Sequence, residues 1–345
     1  MVVPSDVNFS WNQREGWNIA LRESRLPFEM FGIGSGRFND QLSKVSKADL
    51  IIFLNDHHLE SVFQAIQRTP GHFTPNRDSI WISVATERVV QSPFHRSEEK
   101  TRLGASICQF TAYFDKKAER IIRGAGSIPI FIHQYVDQFT FNSKVSFPQK
   151  KPKIFWSGKL PSAQVEGEYS SRGRLFSAIR EHKGFEWREA YKPSLSIQQA
   201  VRERDSYQGL LHLPSNCPGY TSTFFENLAM GGCVLQYDAG AEYALPDLKA
   251  GEHYLSYDAL RPETLLEAVE TFLLNPLAFQ KMAEEGRRLC LKNHTIQQRL
   301  LEIFQTVVRS LGQKGIPSPE SEAGKAAIEI LERLQIAKCK KAGKV

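Results

Sequence analysis

The run Leu50–Leu54 (LIIFL), within Ala48–Leu54, sets the tightest limit on what this chain can become. It has strand length, and its apolar character does not alternate. A strand with one wet face would show polar residues at every second position. A strand apolar on both sides is one buried between helices, as in a parallel sheet. Ser79–Val84 (SIWISV) and Ile128–Ile132 (IPIFI) have the same character, and Pro27–Ile33 (PFEMFGI) ends at a Gly-Ser-Gly turn.

Helical periodicity lies between these runs. Asn55-Asp56 starts a helix over His57–Arg68, with Leu59, Val62, Phe63 and Ile66 on one face. Ala105–Phe110 is expected as a short strand, and Lys116–Arg123 as a helix stopped by Gly124. Phe141–Lys153, polar, basic and carrying Pro148 and Pro152, reads as a linker. The rhythm then restarts. Strands are expected at Ile154–Ser157, Phe185–Ala190, Gly209–Leu213 and Cys233–Tyr237. Helices are expected at Ser171–His182, Ser196–Arg204, Thr223–Met230, Pro262–Leu274, Pro276–Lys292, Thr295–Leu311 and Ala323–Ile336. Alternation of this kind defines an α/β class with crossover helices. The expected architecture is two facing Rossmann-like domains with a central cleft and C-terminal helices. The expected parts are residues 1–145, residues 153–311, and residues 312–345 as linker, amphipathic helix and basic tail.

Composition excludes several classes. The 345 residues suggest two domains, and 41% hydrophobic with 24% charged residues is globular rather than disordered. No apolar run reaches the roughly 18–20 residues that span a bilayer. Met1–Trp17 has no basic stretch followed by an apolar one, so no secretory signal is expected. The five cysteines form no C-x-x-C pair, which argues against a disulfide framework or a cysteine zinc site and fits a cytoplasmic protein. A net charge of +6 is a mild excess that does not point to nucleic acid. Its dense part is the tail, where Lys338, Lys340, Lys341 and Lys344 suit either a solvated end or weak peripheral membrane contact.

The segment Tyr207–Gln236 (YQGLLHLPSNCPGYTSTFFENLAMGGCVLQ) carries the chemistry. A buried strand ends, a Pro- and Gly-containing loop follows, and Thr221, Ser222 and Thr223 stand at a helix start. Such hydroxyls cap free N–H groups, and a helix start is also an anion site. Glu226 is expected in the first turn, where a carboxylate is favoured and can accept from a sugar diol. The same residues equally fit a capped helix with no ligand.

The block Ser222–Leu235 (STFFENLAMGGCVL) resembles the donor-binding signature of group 1 glycosyltransferases of the GT-B fold, closest to the CgeB-like branch. Gly251-Glu252-His253, Leu265–Leu274 with Asn275-Pro276, Ala283–Arg287, and Asn293-His294-Thr295 with Arg299 extend the likeness, as do Val136-Asp137 and Phe139 upstream. It covers roughly Ile128–Phe304. The sequence departs from the pattern of two glutamates in the retaining members: Glu226 is present, and Pro218 stands where the first glutamate would be.

The resemblance implies a metal-independent glycosyltransferase acting on a nucleotide-diphosphate sugar and an unidentified acceptor hydroxyl. It implies no cofactor, the nucleotide sugar being a substrate. Glu226 would hold the ribose. Thr221, Ser222 and Thr223 would face the diphosphate, with Gly158, Lys159 and Arg172 beside it. The acceptor base is sought at strand ends of the first half, with Asp56, His57 and Glu87 as candidates and His58 and His95 behind them. No Asp-x-Asp metal motif occurs, and Gly32-Ile33-Gly34-Ser35-Gly36 has the wrong spacing for a dinucleotide fingerprint. The alternatives are a nucleotide-sugar epimerase of the same fold and a degenerate binding or scaffold protein.

Overall fold

The structure, a computed structural model, describes residues 2–4, 13–25, 28–31, 47–54, 78–85, 97–159, 168–189, 196–214 and 219–341. The chain divides into two compact units. One comprises residues 1–133 and 296–345, the other residues 134–295.

The first unit is built on a parallel sheet. Its described strands are β1 (Val2–Pro4), β2 (Glu29–Phe31), β3 (Leu50–Phe53), β4 (Ile80–Val84), β5 (Phe110–Tyr113) and β6 (Ile128–Phe131), in the order β2-β1-β3-β4-β5-β6. Strands β3 and β4 are buried at every residue, as unbroken apolar runs require. Helices α1 (Gln13–Glu23), α2 (Ser97–Ile107) and α3 (Ala118–Gly124) belong here. Of the strand expected over Ala105–Phe110, Ala105–Ile107 close α2 and Phe110 opens β5. Thr101, Gly104 and Ala105 are buried in α2, and Cys108 just past its end, all within one helical stripe. The helix expected at His57–Arg68 lies outside the described residues.

The second unit carries β7 (Lys151–Gly158), β8 (Phe185–Glu189), β9 (Tyr207–His212), β10 (Cys233–Tyr237) and β11 (Leu255–Tyr257), in the order β11-β10-β9-β7-β8, all parallel. Its helices are α4 (Glu168–Ile179), α5 (Ile197–Arg204), α6 (Ser222–Ala229), α7 (Pro262–Leu274) and α8 (Gln280–Asn293). Successive strand residues feed opposite faces. Phe155, Leu210 and Val234 pack with Phe224, Phe225 and Leu228 of α6 on one side. Ile154, Trp156, Leu211 and Leu235 pack with Phe176 of α4 and Val269 and Phe272 of α7 on the other. Each fully buried side chain of this size contributes about 1.5–3 kcal/mol.

The stretch expected as a linker is part of this unit. Phe141, Phe147 and Lys150 are buried, and Lys151–Lys153 already belong to β7. The Lys150 ammonium, fully shielded from solvent, meets Asp205 Oδ1 at 2.5 Å and Met230 O at 2.7 Å. Conversely, α9 (Ile296–Ser310), expected with the second half, packs on α1 and α10 (Glu322–Lys341) in the first unit. Its apolar stripe is satisfied there mainly by α10, the next helix along the chain, and by α1, which is remote in sequence.

Candidate functional site

In the second sheet the strand order reverses direction between β7 and β9. Ligands of doubly wound sheets bind outside the carboxyl ends of the strands at that switch point. The exits there are Gly158-Lys159 and Leu213-Pro214. Arg172 of α4 ties them together: Nε donates to Pro214 O at 2.5 Å, and Nη1 donates to Lys159 O at 3.0 Å. Its cation is thereby held at the switch point by two carbonyls. Lys159 is exposed beside it. Gly158 has a packing reason to be glycine, since a Cβ would run into the Trp156 ring.

Helix α6 starts at the same end of the sheet, with Thr221 as N-cap in extended geometry (φ −84°, ψ 170°). Its hydroxyl caps nothing. Thr221 Oγ1 lies 2.8 Å from His212 Nε2, and His212 Nδ1 lies 2.6 Å from Gln236 Oε1. Of the first helical N–H groups, that of Ser222 donates to Gln134 Oε1 at 2.9 Å, and that of Phe224 to Thr221 O at 3.0 Å. No described residue accepts the Thr223 N–H or bonds the hydroxyls of Ser222 and Thr223.

Glu226 lies just past the first turn where it was expected: α6 begins at Ser222, one residue earlier than the sequence suggested, so Glu226 is its fifth residue. The physical consequence is a different partner. Arg204 of α5 donates to Glu226 Oε2 at 2.6 Å, where the sequence suggested the helix end. The Arg204 guanidinium also lies over the Phe141 ring, 5.7 Å from its centroid. Among the described residues none donates to Glu226 Oε1.

Burial lowers the His212 pKa to about 4, against the pull of its Gln236 hydrogen bond and with Arg172 and Arg204 nearby acting in the same direction. The imidazole is therefore neutral at pH 7. A second buried histidine, His294, stacks on Phe225 with ring centroids 4.9 Å apart and meets Asp247 Oδ1 at 3.1 Å. Asn293 donates to the other Asp247 oxygen at 2.6 Å. Burial would raise the Asp247 pKa, but the hydrogen bonds from His294 and Asn293, together with the His294 charge and a backbone hydrogen bond, hold the carboxyl well below the usual range. The Asn293-His294 pair thus clasps the end of α8 to the Asp247 loop.

The structure brings Arg172, Lys159, Gly158, Thr221, Ser222, Thr223 and Glu226 to the carboxyl edge of one sheet. Asp56, His57, His58, Glu87, His95 and Pro218 lie outside the described residues. Sequence reading missed Arg204, His212, Gln236 and Gln134. A signal existed for two of them: His212 and Gln236 are polar residues inside apolar strands, and they sit opposite each other in register. A pocket of ≈ 750 Å³ opens at the other, amino end of this sheet, among Ser143, Phe147, Gly231, Glu284 and Arg287. Among the described residues no group of three His, Cys, Asp or Glu is placed to hold a metal, and no helix is long and apolar enough to cross a membrane.

Residues 163–305 match the model of a family described as glycosyl transferase-like. No curated protein sequence matches the chain. Solved structures of similar fold include sucrose-phosphate synthase from Thermosynechococcus elongatus, with TM-score 0.56 and 11% identity, covering 89% of this chain and 98% of that one. HepE from Anabaena, in complex with UDP and glucose, gives TM-score 0.56 and 11% identity over 90% of this chain and 98% of that one. A glycosyltransferase from Rickettsia africae gives TM-score 0.53 and 10% identity over 91% and 98%. The fold is that of the GT-B glycosyltransferases.

Proposed function

We propose that this protein is a glycosyltransferase that moves a sugar from a nucleotide-diphosphate sugar to an acceptor hydroxyl. The observation that carries the reading is the match of residues 163–305 to a glycosyl transferase-like family, because that span contains Arg172, the α6 start and Glu226 around one switch point. HepE, similar in fold, binds UDP-glucose, which makes UDP-sugars the first donors to try. The block around Glu226 supports placement in the CgeB-like branch.

In this reading Glu226 Oε1, to which no described residue donates, accepts the ribose hydroxyls, while Arg204 keeps the carboxylate aimed. The Thr223 N–H, the Ser222 and Thr223 hydroxyls and the positive end of α6 receive the diphosphate. Arg172, with Lys159, supplies the charge that stabilises the leaving diphosphate as the glycosidic bond breaks. This division of labour asks for no cofactor and no metal. The acceptor is a polysaccharide, lipid-linked sugar, protein or small molecule, and its proton goes to a base such as Asp56, His57 or Glu87. A cytoplasmic setting follows from the cysteine usage.

The test is turnover. Purified protein is incubated with UDP-, GDP-, CMP- and dTDP-sugars and a mixed acceptor pool, and release of free nucleotide is followed. Release that depends on one donor and on acceptor supports transfer. Conversion of the donor to an isomeric sugar nucleotide supports an epimerase instead, and donor binding without turnover supports a binding protein, as the Pro218 replacement would allow.

A further inference from the structure

The side-chain chain beneath α6 has a direction. Gln236 Nε2 donates to Tyr237 O at 2.7 Å, which turns the amide so that Oε1 faces His212. A carbonyl oxygen only accepts, so the His212 proton is on Nδ1. The neutral ring then presents a bare Nε2, and Thr221 must give it the one proton its hydroxyl owns. Thr221 has the backbone of an N-cap, in which the side-chain oxygen ordinarily accepts the N–H of the second or third helical residue. Here it takes neither, and no described residue accepts the Thr223 N–H.

We infer that His212 is a positioning residue that holds the Thr221 hydroxyl away from the start of α6, so that the Thr223 N–H stays available to an anion. The identity of that anion, the diphosphate of a nucleotide, rests on the donor reading above. Thr221 itself then acts as a latch: released from His212, it closes the helix end on itself and competes with the ligand. This reverses the role its sequence position suggested, where the Thr221 hydroxyl faced the diphosphate directly.

Three variants separate this from a plain packing role. His212→Asn keeps an N–H toward Gln236 but is too short to accept from Thr221. His212→Gln retains an acceptor at the longer reach. His212→Asn/Thr221→Val removes both the acceptor and the hydroxyl that would cap. Amide exchange at Thr223 is followed by NMR, with UDP affinity by calorimetry. In His212→Asn, Thr223 exchange is expected to slow about fivefold, the equivalent of one cap hydrogen bond, and UDP affinity to fall by a similar factor. His212→Gln is expected to match the wild type, and the double variant to regain fast exchange.

Unchanged Thr223 exchange in His212→Asn overturns the inference, as does slow exchange that persists in the double variant. Because a buried histidine variant can fail to fold, the wild-type imidazole is read as well. Long-range proton–nitrogen correlations should show His212 protonated on Nδ1 and bare on Nε2, and the opposite tautomer also overturns it. Failure of the wild type to bind UDP would count against the donor reading alone, since exchange and tautomer are measured without nucleotide.

Discussion

The Arg204 guanidinium donates to Glu226 Oε2 at 2.6 Å, and the two side chains are only 8% and 17% exposed. A pair this sheltered holds one geometry, so the carboxylate reaches any ligand already aimed. Breaking such a pair from one side leaves a charge without its partner, which costs about 3–5 kcal/mol. Arg204→Met is therefore expected to lower both stability and nucleotide-sugar affinity. Glu226→Gln, which keeps shape and a hydrogen bond to Arg204, should spare most of the stability and still lose affinity. Chemical denaturation beside calorimetric titration separates the two effects. Equal affinity in wild type and Glu226→Gln would remove Glu226 from the site.

Lys150 and Asp205 form the second sheltered pair, at the opposite end of the same sheet. Burial pulls the Lys150 pKa down, and Asp205 opposes it. Asp205→Ala strands the lysine and is expected to cost about 3–5 kcal/mol. Lys150→Met/Asp205→Leu, which removes both charges, should cost less than either single change. Urea unfolding of Asp205→Ala, Lys150→Met and the double variant measures the difference, and a double variant worse than Asp205→Ala would contradict it.

Acid should destabilise the second unit through two groups acting in the same direction. His212 titrates near 4 when folded and near 6.5 when unfolded. Between those values the unfolded chain binds a proton that the folded chain refuses. Its contribution, about 3 kcal/mol, is therefore complete above about pH 6.5 and is lost as pH falls toward 4. Asp247, held below the ordinary 3.8, keeps its contribution above that value and loses it as acid protonates the folded carboxyl. Unfolding free energy measured from pH 7.5 to 4.5 should fall, and His212→Gln should flatten that slope. A flat wild-type profile over this range would contradict the burial of a neutral His212.

Gly286 of α8 sets how closely that helix approaches α6. A Cβ there would lie 2.6 Å from His253 O and 2.9 Å from Leu228 Cδ2. One neighbour is backbone and cannot swing aside, so Gly286→Ala is expected to destabilise by about 1–3 kcal/mol despite alanine's better helix propensity. A melting temperature at or above that of the wild type would show that the two helices can separate without cost.

The parts legible in the sequence are those governed by local period. Leu50–Phe53, Cys233–Tyr237 and Pro262–Leu274 are found where their patterns put them, because burial on two faces or on one stripe writes directly into residue order. Three-residue β11 was not legible, since Leu255–Tyr257 is too short to carry a period. The assignment of α9 failed for another reason: an amphipathic stripe says that a helix packs, and not on what. The same limit applies at the site. Glu226 was visible from its block, whereas Arg204, 22 residues earlier, meets it only through the fold. Thr221 was visible as a helix start, but its diversion to His212 depends on a register between β9 and β10 that no local spacing records.

The most direct test of the donor site is a thermal-shift measurement with UDP-, GDP-, CMP- and dTDP-sugars on wild type and Glu226→Gln. A ligand at 100 times its dissociation constant adds about 2.7 kcal/mol of stability, which shifts the melting temperature by roughly 2–4 °C or more for a protein of this size. The expected result is a clear upward shift with one nucleotide class in the wild type, reduced or lost in Glu226→Gln. A shift of equal size in both proteins, or none with any nucleotide sugar in the wild type, would contradict ribose binding at Glu226.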